Sequence, residues 1–183
     1  VFTDYGNQQY TSARMITRGK ASWTYGFYEV RAKLPCGLGT WPAIWTLGTG
    51  GVWPGDGEID LMEQRGISAA DKAVVLGTIH TRAFNYYNGS LGVAKGSSIS
   101  LSDACTSFHN YQLTWSADKL QLGVDGNNYF EYLNPKDGDY TKWPFDKPQY
   151  LILNLAMGGD LGGAIPANFV SDQMEVDYVR VYQ

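Results

Sequence analysis

The chain has 183 residues, a length that suits one domain with a substantial hydrophobic core. Its formal net charge is -4 and no run of Lys or Arg occurs, which argues against nucleic acid as a partner. No apolar stretch approaches the roughly 20 residues that cross a bilayer as a helix, which argues against a membrane protein.

The composition favours an all-β protein. The chain contains 22 Gly, 13 Tyr and 6 Trp but only 17% charged residues, which describes a chain rich in turns and aromatic side chains. We find no long apolar period of 3.6 residues, no internal repeat and no linker. We therefore expect one domain over residues 1–183.

The hydrophobic pattern predicts strands in four segments. Apolar and polar residues alternate strictly at 28–34 and 111–116, which is typical of strands with one face in water. In residues 150–157 and 174–182, apolar side chains occur at both odd and even positions, which predicts strands covered on both faces.

The connections carry their own signals. Asp125 and Gly126 separate two apolar runs, and both residues tolerate the positive φ angles of a tight hairpin. Residues 48–57 and 83–107 are predicted as long loops, which are often functional in a compact fold.

Cys36 and Cys105 lie in turn regions rich in Gly and Ser and lack the spacing of a metal site. We predict a disulfide between them, the alternative being two unrelated free thiols. The disulfide favours a secreted or periplasmic protein. The sequence shows no signal peptide and starts at Val1, so we expect a start produced by processing or cloning.

The segment from Glu58 to Glu63 packs three carboxylates into an apolar stretch, at a cost in desolvation and mutual repulsion. In a regular strand Glu58 and Asp60 share a face, whereas Glu63, five residues after Glu58, points the other way. A β-bulge with one extra residue at Leu61 or Met62 would return Glu63 to that face.

Retaining glycoside hydrolysis needs two carboxyl groups about 5–5.5 Å apart, one ionised and one protonated. The charge of one glutamate raises the proton affinity of the other, and Asp60 between them can share a proton with Glu58. The alternative is a surface strand that shows three acidic residues to water.

These residues strongly resemble the signature E-[ILV]-D-[ILV]-[MV]-E of the bacterial laminarinase-type members of glycoside hydrolase family 16. The resemblance covers nearly the whole chain, in the further segments 12–17, 25–34, 39–45, 77–81, 108–115, 151–159 and 176–182. It implies a jelly-roll β-sandwich of two antiparallel sheets. It also implies that Glu58 is the nucleophile, Asp60 its helper and Glu63 the acid/base, on the concave face.

The resemblance further implies the substrate. Laminarinases carry the extra residue, here Met62, and members that cleave mixed-linkage glucans often lack it. We therefore expect a retaining endo-β-1,3-glucanase acting on β-glucan. Relatives that cleave marine galactans can also carry the longer motif, and a noncatalytic glucan-binding jelly roll is the alternative from another class.

Family members usually possess additional strands before the segment that corresponds to residues 10–17. We therefore expect a sandwich without its usual N-terminal strands, with a second chain or fragment supplying them or a different closure.

Six further residues are candidates for binding substrate. Trp41 and Trp45 share one face of a predicted strand and form either a sugar platform or part of the core. Trp53 lies in a loop rich in Gly and Pro, where we expect exposure. Asn154 is the only amide in its apolar strand and bonds either a sugar hydroxyl or a neighbouring backbone.

The resemblance places His80 near the cleaved bond and Arg14 near the cleft, the alternatives being a structural histidine and a surface ion pair. It also relates Asp177 to an aspartate that holds a structural calcium on the convex side. The proposed chemistry requires no cofactor. Because the only other histidine is His109, neither a histidine-based triad nor a zinc site is expected.

Overall fold

The computed structural model of the protein describes residues 9–86 and 94–183. Nearly all of its regular structure is β-strand, in two antiparallel sheets, as predicted. The six-stranded sheet has the spatial order β1 (Arg14–Ile16), β10 (Gln149–Met157), β3 (Thr40–Gly48), β4 (Glu58–Gln64), β5 (Val74–His80) and β6 (Lys95–Ser100). The five-stranded sheet has the order β11 (Glu175–Tyr182), β2 (Gly26–Lys33), β7 (His109–Trp115), β8 (Lys119–Val124) and β9 (Asn127–Leu133).

The hydrophobic core lies between the two sheets. Alternate residues of β2 and β7 point inward and are almost fully buried, which explains the strict alternation seen in the sequence. They pack against the inner face of the six-stranded sheet, in the buried cluster that includes Ile44, Ile59, Leu61, Met62 and Leu151. The opposite face of the six-stranded sheet is thereby left for the cleft described below.

The predicted hairpin and the predicted disulfide are both confirmed. Asp125 and Gly126 connect β8 to β9 with φ angles of 51° and 80°. Cys36 and Cys105 form a disulfide with a Cα–Cα distance of 5.1 Å, so the alternative of free thiols is wrong. The bridge joins the chain after β2 to the chain before β7.

Strand β10 is buried over its first half, as predicted, and its second half borders the cleft. The prediction that residues 174–182 are covered on both faces is wrong, because no residue of β11 is buried. Its only partner among the described strands is β2. Val179 lies opposite the buried Val30 and is nevertheless 42% exposed, so the core-facing side of β11 is only partly covered.

The loop prediction holds for residues 49–57, which contain turns and no strand. It is wrong for part of 83–107, because Lys95–Ser100 forms β6 against β5. This Ser- and Gly-rich segment has no apolar alternation, and its pairing uses backbone groups that any residue offers. Residues 87–93 of the same predicted loop lie outside the described residues.

Two short helical turns complete the described structure, a 3₁₀ turn at Asp71–Ala73 and the single turn α1 at Gly159–Gly162. No helix within the described ranges has the length and apolar character needed to cross a membrane. The supply of further strands by a second chain stays a prediction.

Candidate active site

The predicted bulge lies at Leu61. On the β3 side, Asp60 is opposite Trp45 and Met62 is opposite Ile44, so Leu61 has no partner. On the β5 side, Asp60 pairs with Thr78 and Glu63 with Leu76, so two residues face one. Glu63 is thereby returned to the face of Glu58 and Asp60, as predicted.

The surrounding structure accommodates this irregularity. Leu61 and Met62 are both fully buried, so the additional side chain is packed into the core. The carbonyl oxygen of Leu61 accepts a hydrogen bond of 3.4 Å from the Tyr129 hydroxyl of the opposite sheet. Gly77 faces the bulge, and a side chain there would overlap Tyr129 and Leu122. The glycine therefore leaves room for the tyrosine that contacts the bulge.

The three carboxylates line a cleft of about 400 Å³ on the outer face of the six-stranded sheet. Four of the six predicted binding residues, Arg14, Trp41, Trp45 and Asn154, also line this cleft. The lining residues are Ser12, Ala13, Arg14, Trp41, Ala43, Trp45, Glu58, Asp60, Glu63, Asn154, Leu155 and Ala156. Trp41 and Trp45 thus face the cleft and are half-buried, which supports the platform over the core alternative.

Each glutamate accepts a hydrogen bond from an indole N–H. Trp53 Nε1 donates to Glu58 Oε2 at 2.5 Å, and Trp41 Nε1 donates to Glu63 Oε1 at 2.9 Å. Trp53 is 42% exposed, as expected for its loop. Hydrogen bonds to a carboxylate favour its ionised form, so the two indoles oppose the effect of burial.

Asp60 and His80 meet behind Glu58. The Asp60 carboxylate lies 3.2 Å from His80 Nε2, and both side chains are almost completely buried. His80 is paired with Glu58 across β4 and β5, which directs its ring to the same face. Atoms of Glu58, Asp60 and His80 lie within 4.8 Å of one another, so this trio could also hold a metal ion.

Burial dominates the protonation of the cluster. Burial and, to a smaller extent, the charge of Asp60 raise the pKa of Glu58 to about 9. Burial and the charge of Glu63 also raise the pKa of Asp60, and burial raises the pKa of Glu63. Burial lowers the pKa of His80. The cluster therefore holds protons at neutral pH beside a neutral imidazole.

Trp45, which lies opposite Asp60 in the β3–β4 pair, connects two of the predicted residues. The Arg14 guanidinium stacks on the Trp45 ring, 4.9 Å from its centroid, where the alternative predicted an ion pair. Trp45 Nε1 donates a hydrogen bond of 2.7 Å to Asn154 Oδ1. The partner of Asn154 is thus a side chain in the cleft, and neither alternative from the sequence had named it.

The sequence reasoning missed Tyr86. Its ring lies 5.2 Å from the ring of His80, and its side chain is 68% exposed beside the carboxylates. The available signal was a run of aromatic residues in a segment predicted only as a loop.

Asp177, the residue related to a calcium ligand, is paired with an arginine. Asp177 lies at a bulge in β11, and its carboxylate accepts a hydrogen bond of 2.6 Å from Arg31. Calcium binds six to eight oxygen ligands, and Asp177 belongs to no cluster of acidic or histidine ligands in the described part of the chain. Calcium binding here stays a prediction.

Comparison with known proteins decides the family. Residues 4–180 match the sequence profile of Glycosyl hydrolases family 16. The chain belongs to this family. It is 44% identical to the β-glucanase of Rhodothermus marinus over 98% of its own length, and it spans 64% of that protein. The chain therefore covers less than two thirds of this curated relative.

Solved family 16 structures confirm the jelly-roll fold. The laminarinase of Rhodothermus marinus superposes with a TM-score of 0.92 at 43% identity, over 99% of this chain and 74% of that one. A non-specific endo-β-1,3(4)-glucanase, in a form with a glucan oligosaccharide at its active site, superposes with a TM-score of 0.91 at 47% identity. That match covers 100% of this chain and 69% of the other.

Proposed function

We propose that the protein is a retaining endo-β-1,3-glucanase that cleaves internal bonds of β-glucan. The observation that supports this most strongly is the bulged strand, which brings Glu58, Asp60 and Glu63 to one cleft beside three tryptophans. The family 16 relatives at 44% and 47% identity are a β-glucanase and an endo-β-1,3(4)-glucanase.

In the proposed reaction, Glu58 attacks the anomeric carbon and Glu63 protonates the departing glycosidic oxygen. Water then enters, Glu63 removes its proton, and the glycosyl bond to Glu58 breaks with the original anomeric configuration restored. Burial raises the pKa of Glu63, which favours the protonated form that a general acid needs.

Glu58 must be ionised to attack, although burial raises its pKa to about 9. Asp60 resolves this requirement, because its own pKa is also raised and it can hold the proton that Glu58 gives up. The indole N–H of Trp53 then stabilises the Glu58 carboxylate. Asp60 therefore acts as a proton partner of the nucleophile.

The cleft offers aromatic surfaces for sugar rings. Trp41 and Trp45 present indole faces, and pyranose rings stack their C–H groups on such faces. Arg14 and Asn154, both held against Trp45, add hydrogen-bonding groups beside it. The disulfide supports an extracellular or periplasmic location.

Replacement of either glutamate tests the proposal. We expect Glu58→Gln and Glu63→Gln each to lower the release of reducing ends from laminarin by at least about 10²-fold. Circular dichroism should show an intact fold, and NMR of the earliest wild-type product should show the β-anomer. Unchanged turnover in either variant, or an initial α-anomer, would contradict the proposal.

A parallel assay separates the enzyme from a glucan-binding module. Wild-type protein should release oligosaccharides from laminarin, and lichenan and agarose tested beside it will define the linkage. Binding to laminarin without any product would favour the noncatalytic alternative.

A further inference from the structure

Lys72 is a buried cation close to the carboxylate strand. It lies in the 3₁₀ turn between β4 and β5 and is only 6% exposed. No carboxylate in residues 9–86 or 94–183 forms an ion pair with it, although Asp172 attracts it from a greater distance. Burying an ammonium group without an ion pair is costly, so its hydrogen bonds need an explanation.

The ammonium group has three acceptors, which matches its three N–H donors. Lys72 Nζ donates to Thr40 Oγ1 at 2.6 Å and to the Thr40 carbonyl oxygen at 3.2 Å. It donates a third bond to Gln64 Oε1 at 3.1 Å. Gln64 in turn donates from Nε2 to the Lys72 carbonyl oxygen at 2.8 Å. The lysine is thus fixed to β3 and β4 at once.

The two residues held by Lys72 flank a pair in the cleft. Thr40 directly precedes Trp41, and Gln64 directly follows Glu63. Thr40 and Gln64 are fully buried, whereas their neighbours line the cleft on the other face of the sheet. The lysine therefore lies behind the hydrogen bond of 2.9 Å from Trp41 to Glu63.

The pairing of β3 with β4 makes this connection important. The last paired residues of the two strands are Ala43 and Glu63, so Trp41 lies two residues beyond the end of the ladder. Beyond the last pair of the ladder, the hydrogen bonds of Lys72 to Thr40 and Gln64 connect the start of β3 to the end of β4.

We propose that Lys72 is a positioning residue for Glu63, which it aligns by fixing the neighbours of Glu63 and of its partner Trp41. This inference rests on the proposed role of Glu63 as the acid/base. Lys72 touches no substrate and acts through the strand ends. A displacement of about 1 Å at a reacting group can cost about 10²-fold in rate.

The consequence depends on the leaving group. A sugar leaving group needs a proton from Glu63, whereas a dinitrophenolate leaves without one. Loss of alignment at Glu63 should therefore slow the cleavage of laminarin and leave glycosylation by a dinitrophenyl β-laminaribioside unaffected. A general loss of structure would slow both reactions.

The experiment compares Lys72→Met with Glu63→Gln on both substrates. For Lys72→Met we expect kcat on laminarin to fall about 10- to 100-fold with little change in KM. We expect the burst of dinitrophenolate in the first turnover to keep its wild-type rate in both variants. Lys119→Met, which removes a lysine paired with Glu131 on the other sheet, is the control and should match wild type.

Each outcome decides one statement. If Glu63→Gln slows laminarin hydrolysis and the dinitrophenolate burst equally, the role assigned to Glu63 is wrong. Suppose instead that Glu63→Gln slows only laminarin hydrolysis. If Lys72→Met then slows laminarin hydrolysis and the dinitrophenolate burst equally, or slows neither, the positioning role of Lys72 is wrong. Thr40→Val removes only one acceptor and should show the same selectivity with a smaller loss, so it decides the matter if Lys72→Met does not fold.

Discussion

Deletion of Leu61 would test the bulge directly. Without this residue, Asp60, Met62 and Glu63 can keep their present partners Trp45, Ile44 and Ala43 in an uninterrupted ladder. The face of Glu63 is then unchanged, since the deletion makes Glu63 the fourth residue after Glu58. We therefore expect the deletion protein to retain hydrolysis of laminarin.

The cost should appear in stability. Leu61 is fully buried in the core, and removal of such a side chain costs about 2–5 kcal/mol in free energy of unfolding. For a protein of this length, that loss lowers the melting temperature by roughly 5 to 15 °C. Calorimetry measures the shift in melting temperature. Reducing-end release, assayed about 20 °C below the new melting temperature so that the protein is folded, measures the activity.

Deletion of Ile59 is the matched control, because Ile59 is an equally buried aliphatic residue of the same strand. This deletion makes Glu58 and Asp60 adjacent, so they point to opposite faces and activity should be lost. A folded Leu61 deletion without activity, or a folded Ile59 deletion with wild-type activity, would refute the reasoning.

Two other properties can be predicted from the structure. The disulfide closes a sequence separation of 69 residues, which corresponds to about 4 kcal/mol, so Cys36→Ser/Cys105→Ser should melt roughly 10 °C lower; an unchanged melting temperature would contradict the estimate. The folded state raises the pKa of Glu58 from 4.5 to about 9, so its contribution to stability is complete below pH 4.5 and is lost as the pH rises through 9. Glu58→Gln has no such proton to lose, so its melting temperature should rise relative to that of wild type as the pH increases between these values. Parallel curves of melting temperature against pH would count against the raised pKa.

Much of the fold follows from local sequence patterns. Strand β2 alternates because one face meets the core, and Asp125-Gly126 adopts the positive φ angles that its turn requires. Strand β6 was not predicted because its Ser and Gly residues show no alternation of apolar and polar side chains, and its pairing depends on backbone groups alone. The exposure of β11 was not predicted because edge position depends on the order of strands in the sheet.

The site shows the same division. The bulge was predictable from the hypothesis that the three carboxylates share one face, because that arrangement requires an irregularity between Asp60 and Glu63. The partners of the carboxylates were not, because the bonds from Trp41 and Trp53 depend on side-chain directions across strands and loops. Lys72 was also invisible, since a lysine in a polar turn normally lies in water.

The most direct test of the central claim is rescue by azide with a dinitrophenyl β-laminaribioside as substrate. In Glu58→Ala, azide replaces the missing nucleophile in a single displacement and should give the α-glycosyl azide. In Glu63→Ala, azide attacks the intermediate on Glu58 in a second displacement and should give the β-glycosyl azide. Reversed configurations, or the same configuration from both variants, would contradict the account.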